Sequence, residues 1–157
     1  MANAYVNVRG GYHASPEPHS LVLNDAADVL LNADRTLTMS VRHEYRVVAA
    51  DEAEGGPWRV SSSAYIYRLS EDDEPIFAYH WHPIEGFDIQ FPHLHLYLLE
   101  RQGAPALAKA HFPTARISLE SFVRLLVREF GVRPLRDDYP AILDARERDF
   151  LRQRTWA

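Results

Sequence analysis

The chain has 157 residues, 46% of them apolar, which is enough for one domain with a sizeable core; its formal net charge of −5 argues against a protein that coats nucleic acid non-specifically. With no cysteine there can be no disulfide framework, no thiolate zinc site and no cysteine nucleophile, so any metal would need histidine and carboxylate ligands. No run of about 18 apolar residues and no basic-then-apolar leader is present, and the expectation is a soluble, cytoplasmic protein.

Charge is unevenly spread. Residues 1–115 hold 8 Lys+Arg against 15 Asp+Glu, a net −7, whereas 116–157 hold 9 Arg against 7 acids, a net +2. Residues 1–36 are a poorly defined lead-in: Tyr5 to Val8 reads as a short strand, 10–19 as loop, and Asp25 to Asn32 as either a helical turn or a strand. From Leu37 the pattern clears. Leu37, Met39, Val41, His43, Tyr45 and Val47 alternate with Thr38, Ser40, Arg42, Glu44 and Arg46, which is the two-residue period of a strand. His43 falls on the apolar side, where a buried, hydrogen-bonded role is the natural one. The acidic, glycine-rich 51–57 is a turn, and Trp58 to Leu69 a second long strand. SEDDE at 70–74 is a solvated hairpin tip, not a cation site, and Ile76 to His82 is the third strand. His93 to Leu99 is predicted as the fourth strand and 106–111 as the fifth, with Leu107, Lys109 and His111 on one side and three alanines on the other.

The period then changes. Ser118 is a good N-cap with Glu120 in the first turn, and Leu119, Phe122, Val123, Leu126, Val127 and Phe130 form an apolar stripe that ends at Gly131. Asp138 and Pro140 start a second helix in which Ile142, Leu143, Phe150 and Leu151 are apolar, while Arg146, Arg148, Arg152 and Arg154 are exposed. The predicted architecture is α+β: an antiparallel meander of about five strands over 37–111, followed by two helices over 118–155 packed on one face.

Chemistry concentrates between Tyr79 and Tyr97. Two His-x-His pairs, His80/His82 and His93/His95, are separated by the ten-residue segment 83–92, and five of the chain's eight histidines lie between residues 80 and 111. Residues two apart in a strand share a face, so each pair aims both imidazoles the same way. Phe77, Tyr79 and Trp81 alternate with the first pair, and Leu94, Leu96 and Leu98 with the second. If the two strands form a hairpin, burying both apolar sets together leaves all four histidines on the other side; a one-residue slip would split them only by exposing one apolar set.

His93-Leu-His95-Leu-Tyr97 is close to the histidine-triad pattern of nucleotide hydrolases, with Tyr97 in place of the third histidine, and to the His-hydrophobic-His of single-strand nickases. A more extensive resemblance rests on Tyr79-His80-Trp81-His82-Pro83, Phe91-Pro92-His93-Leu94-His95 and Ser118-Leu119-Glu120. In the order and spacing of these elements, residues 37–130 resemble the TumE-like toxins of bacterial toxin–antitoxin modules. The chain departs from them in its longer N-terminal lead and its second C-terminal helix. What the resemblance implies is an RNA-directed toxin neutralised by an antitoxin protein, with RNA and the antitoxin as partners; a homodimer, with a second copy of the chain, is a separate expectation.

Metal-independent RNA cleavage needs a base for the 2′-OH, an acid for the 5′-oxygen and a cation on the phosphate. Histidine can be either acid or base. The candidate catalytic set is therefore His80, His82, His93, His95, Lys109 and His111. Lys109, the only lysine, or Arg116 would hold phosphate, and Tyr79 or Tyr97 would stack or hydrogen-bond a base. No cofactor is required on this reading. The alternative is a metal site in which His80, His82, His93 and His95 bind zinc, copper or iron, with Glu85 or Asp88 completing the shell. A third reading is a non-enzymatic module in which the cluster forms a pH-sensitive interface with a partner.

Overall fold

In the computed structural model, residues 4–10, 13, 17–50, 57–83 and 88–153 are described. The strand periods of the sequence become one eight-stranded antiparallel sheet: β1 (Val6–Arg9), β2 (His19–Leu23), β3 (Val29–Leu30), β4 (Leu37–Ala49), β5 (Trp58–Glu71), β6 (Glu74–Trp81), β7 (His93–His95) and β8 (Phe112–Pro113). Neighbours follow chain order from β4 to β8, while β2 and β3 share the other edge of β4 and β1 lies outside β2. The chain is thus α+β with a meander-like sheet, followed by α3 (Leu119–Glu129) and α4 (Tyr139–Gln153). No helix among the described residues is long and apolar enough to cross a membrane.

The sheet is organised by its central hairpins. Asp72 and Asp73 sit at φ 51° and 63°, the left-handed pair that a tight two-residue turn between β5 and β6 requires, which gives these acids a backbone role at the hairpin tip. On β4, Leu37, Met39 and Val41 point to one face; Tyr65, Tyr67 and Leu69 join them from β5, and Phe77 and Trp81 from β6. Helix α3 covers that face. Ser118 caps it by accepting a 3.0 Å hydrogen bond from the Ser121 amide, and the stripe places Phe122 and Leu126 at 0% exposure against the sheet. The Phe122 ring meets those of Tyr67 at 5.6 Å and Phe77 at 6.1 Å. At the far end Gly131, at φ 67°, turns the chain so that the buried Val132 follows the helix back into the core.

Two predicted strands change. Residues 105–108 form a short helix, α2 (Pro105–Ala108), in place of a fifth strand: Pro105 is suited to its first position and the alanines are the best helix formers, so the apparent alternation of small residues there was helical composition. The fourth strand stops at His95, and Leu98–Arg101 turns into another short helix, α1. In place of the predicted strand 106–111, the two residues of β8 close the sheet. Helix α4 lies against α3, tied by Arg124 to Asp144 and Glu147 at 2.9 Å each, and it leaves Ile142 and Leu151 exposed. Between Asn24 and Ala26 there is one tight 3-10 turn followed by β3, so Asp25 to Asn32 contains both alternatives read from the sequence. Half of the loop read at 10–19, most of the turn at 51–57, and Glu85 and Arg154 lie outside the described residues.

Candidate functional site

The pairing of β6 with β7 decides the site. Tyr79 stands opposite Leu94 and His80 opposite His93, with Ala78 opposite His95. Tyr79 and Leu94 therefore turn toward α3, and the histidines turn to the other face of the sheet. The ring centroids of His80 lie 6.0 Å from His82, 5.6 Å from His93 and 4.7 Å from His95. His93 and His95 are 4.9 Å apart. All four predicted histidines share one face and one small site.

A fifth imidazole joins them. His111 precedes β8, whose Pro113 and Phe112 stand opposite His93 and Leu94, and the same antiparallel register carries His111 toward His95. Its ring is 4.5 Å from that of His95 and 4.8 Å from that of His93. The predicted strand was absent, yet the histidine arrived where the strand would have put it, because β8 continues the sheet in the same sense. Tyr97 also belongs here, stacked on His95 at 5.5 Å.

Other candidates fall elsewhere. Tyr79 packs 5.7 Å from Phe77 and 6.4 Å from Phe122, so it belongs to the core face by the parity that separates it from His80. The guanidinium of Arg116 lies 3.5 Å over the Trp81 ring, again on the core side, in a cation–π contact. Lys109 ends α2 with an exposed side chain, and its ammonium makes no hydrogen bond or ion pair among the described residues. Replacement of the strand by α2 removed the alternation that was to have aligned Lys109 with His111. Asp88 is exposed in the connecting loop and is not among the residues whose ligand atoms converge.

The innermost group is His80, His93 and His95, whose ligand nitrogens all lie within 4.8 Å of one another. His93 is the most deeply set, at 2% exposure. Its Nδ1 is 2.9 Å from the Phe91 carbonyl. A carbonyl only accepts, so Nδ1–H donates and the lone pair is left on Nε2. Burial, and then the neighbouring imidazoles His95 and His93, push His80 down to about 3; burial, followed by His111 and His93, pushes His95 down to about 4. His93 is lowered as well, chiefly by burial and against the effect of its bond to Phe91. The three are neutral at ordinary pH, with lone pairs available and no carboxylate among them.

Sequence reasoning missed the neighbouring polar face of β4. Arg42 stands opposite Ile66, and Ile66 opposite His80, so Arg42, Ile66, His80 and His93 form one cross-strand row. The signal was present in the alternation of Arg42, Glu44 and Arg46, but reading it required counting register across two hairpin turns. Comparisons with protein families, with curated proteins and with solved structures return no match for this chain.

Proposed function

We propose that this chain is a metal-binding protein in which His80, His93 and His95 hold a divalent transition-metal ion, zinc being the simplest occupant for an all-imidazole set. The observation that carries the reading is the convergence of three ligand nitrogens within 4.8 Å of one another on two directly paired strands. Tetrahedral zinc with bonds of about 2.0–2.1 Å holds its nitrogens about 3.4 Å apart, so modest side-chain rotations suffice to close the set. Strands offer rigid placement, and the Phe91 carbonyl supplies the kind of outer partner that orients a ligating imidazole and fixes its tautomer. Three imidazoles leave a fourth position for water or a substrate oxygen, the arrangement of hydrolytic zinc sites.

The ribonuclease reading, with RNA and an antitoxin as partners, would use the same histidines as acid and base. It has weaker support, because a general acid must be protonated near the working pH and His80 and His95 are pushed far below it. Growth arrest with RNA breakdown that survives chelation would favour it over the metal.

The deciding experiment is metal analysis of protein purified without added metal, followed by zinc titration of stripped protein. One ion per chain is expected, lost in His80→Ala and His95→Ala. Wild-type protein that takes up no zinc, or variants that bind it as tightly as wild type, would overturn the reading.

A further inference from the structure

Beside the histidines, on the same face of the sheet, lies a cleft of about 340 Å³ bounded by Arg42, Glu44 and Arg46 of β4, Ser63 and Ile66 of β5, and His82. Its size is at the lower end of small-ligand sites. A bulge shapes it. Glu44 stands opposite Ala64 but Tyr45 opposite Ser62, so Ser63 is the extra residue of β5, and a bulge re-aims side chains in this way. Ser62 keeps its place on the core face, where it bonds His43, while Ser63 lines the cleft next to Ala64.

The charges around the cleft are not equivalent. Arg42 is tied to Glu44 at 2.6 Å, a pair that largely cancels. Arg46 is exposed and makes no hydrogen bond or ion pair among the described residues. Among the described residues the lining therefore offers one uncompensated guanidinium. Two more polar atoms lack partners: Ser63 Oγ and His82 Nδ1 are both shut off from solvent with no hydrogen bond among the described residues. Unpaired buried polar atoms are costly, and both stand to gain from a polar group brought in by a ligand. Ile66 and Pro83 supply apolar wall. At its other side the cleft meets the cluster through His82, whose ring is 6.0 Å from His80 and 6.3 Å from His93.

We propose that this cleft binds a small organic carboxylate, its charged end on Arg46, its body along Ile66 and Pro83, and its far end presented to the ion on His80, His93 and His95. A planar guanidinium matches a carboxylate through two parallel hydrogen bonds. Inorganic phosphate fits less well, because it has no apolar body to lie along Ile66 and Pro83. Presentation to the ion rests on the metal reading; the carboxylate pocket rests on the cleft itself.

The test uses benzoate as probe, with neutral benzamide and inorganic phosphate as controls, titrated into zinc-treated full-length protein and followed by chemical-shift changes, with zinc content measured on the same samples. Benzoate should bind saturably and more tightly than either control. Arg46→Gln, a change on an exposed strand position, should weaken benzoate by roughly tenfold to a hundredfold, the range for hydrogen bonds to charged groups, without altering zinc content. Replacing zinc by cobalt should broaden the ring protons of bound benzoate. Absence of saturable binding, equal affinity for benzamide, tighter binding of phosphate, or an Arg46→Gln variant that behaves as wild type would each overturn the pocket. Arg46-dependent benzoate binding to a protein that takes up no zinc would instead remove the metal reading and the presentation to it, while leaving the carboxylate pocket standing.

Discussion

The protein keeps histidines on both faces of one sheet and treats them differently. On the core face, His43 has a partner for each ring nitrogen, Tyr67 Oη at 2.8 Å from Nδ1 and Ser62 Oγ at 2.9 Å from Nε2, and it lies beside the mutually stacked Tyr65 and Tyr67 rings, 6.3 and 6.2 Å from them. Across the sheet, His80, His93 and His95 face chiefly other imidazoles, and of the three only His93 has a ring nitrogen bonded to an oxygen among the described residues, that of Phe91. Burial depresses histidine pKa on both faces, so depression alone does not mark function. What separates the two is satisfaction: the buried imidazole with both nitrogens bonded is structure, whereas the neutral imidazoles with lone pairs converging on one point are the ligand set proposed above.

That contrast can be broken most directly at the core. Phe122→Ala removes a fully buried ring between α3 and the sheet and should cost about 3–5 kcal/mol, read as a fall in the urea midpoint. His95→Ala on the other face should move the midpoint far less. Comparable losses from the two would mean that the cluster is also structural.

Acid should act next, through His43. Its folded-state pKa is lowered to about 4 by burial, against a smaller opposing effect of Glu44, while in the unfolded chain it is about 6.5. The unfolded state therefore takes up the proton first as pH falls, and the stability present above about 6.5 is lost progressively toward 4. At about 1.4 kcal/mol per pH unit the loss is roughly 3 kcal/mol. Tyr67, Tyr65, Ser62 and Glu44 are the groups around it. Unfolding free energies at pH 7 and pH 4.5 should diverge less in His43→Gln than in wild type. The outward histidines contribute to both proteins, so the difference isolates His43, and identical slopes would show that this residue does not titrate between the states.

The outer face should respond in affinity. His80→Ala should weaken zinc by more than about a hundredfold, since changing only an outer partner of a ligand costs 10–100-fold, while His43→Gln should leave zinc affinity unchanged at pH 7. Loss of zinc in both variants would point to a distributed effect on the fold and erase the distinction between the faces. The smallest effect belongs to the helix that covers the core: Ser118→Ala, which removes the N-cap, should cost about 1 kcal/mol in stability and nothing in zinc affinity.

The sequence by itself determined which side chains share a face. The two-residue period bound His80 to His82 and His93 to His95, and set each pair against an apolar set that had to be buried, so the direction of the histidines followed without knowledge of the fold. The same logic placed His43 inside and read α3 from its cap, stripe and terminal glycine. Local periodicity could not say what 105–108 would become, because a run of alanines behind a proline alternates in either conformation and is settled by helix propensity. Nor could it bring His111 to His95, send Arg116 over Trp81 to the far side, or set Arg46, Ser63 and His82 around one cleft. Those placements depend on register, on a bulge and on the closing strand β8, and register is decided only when separated segments pair and bury their apolar faces together.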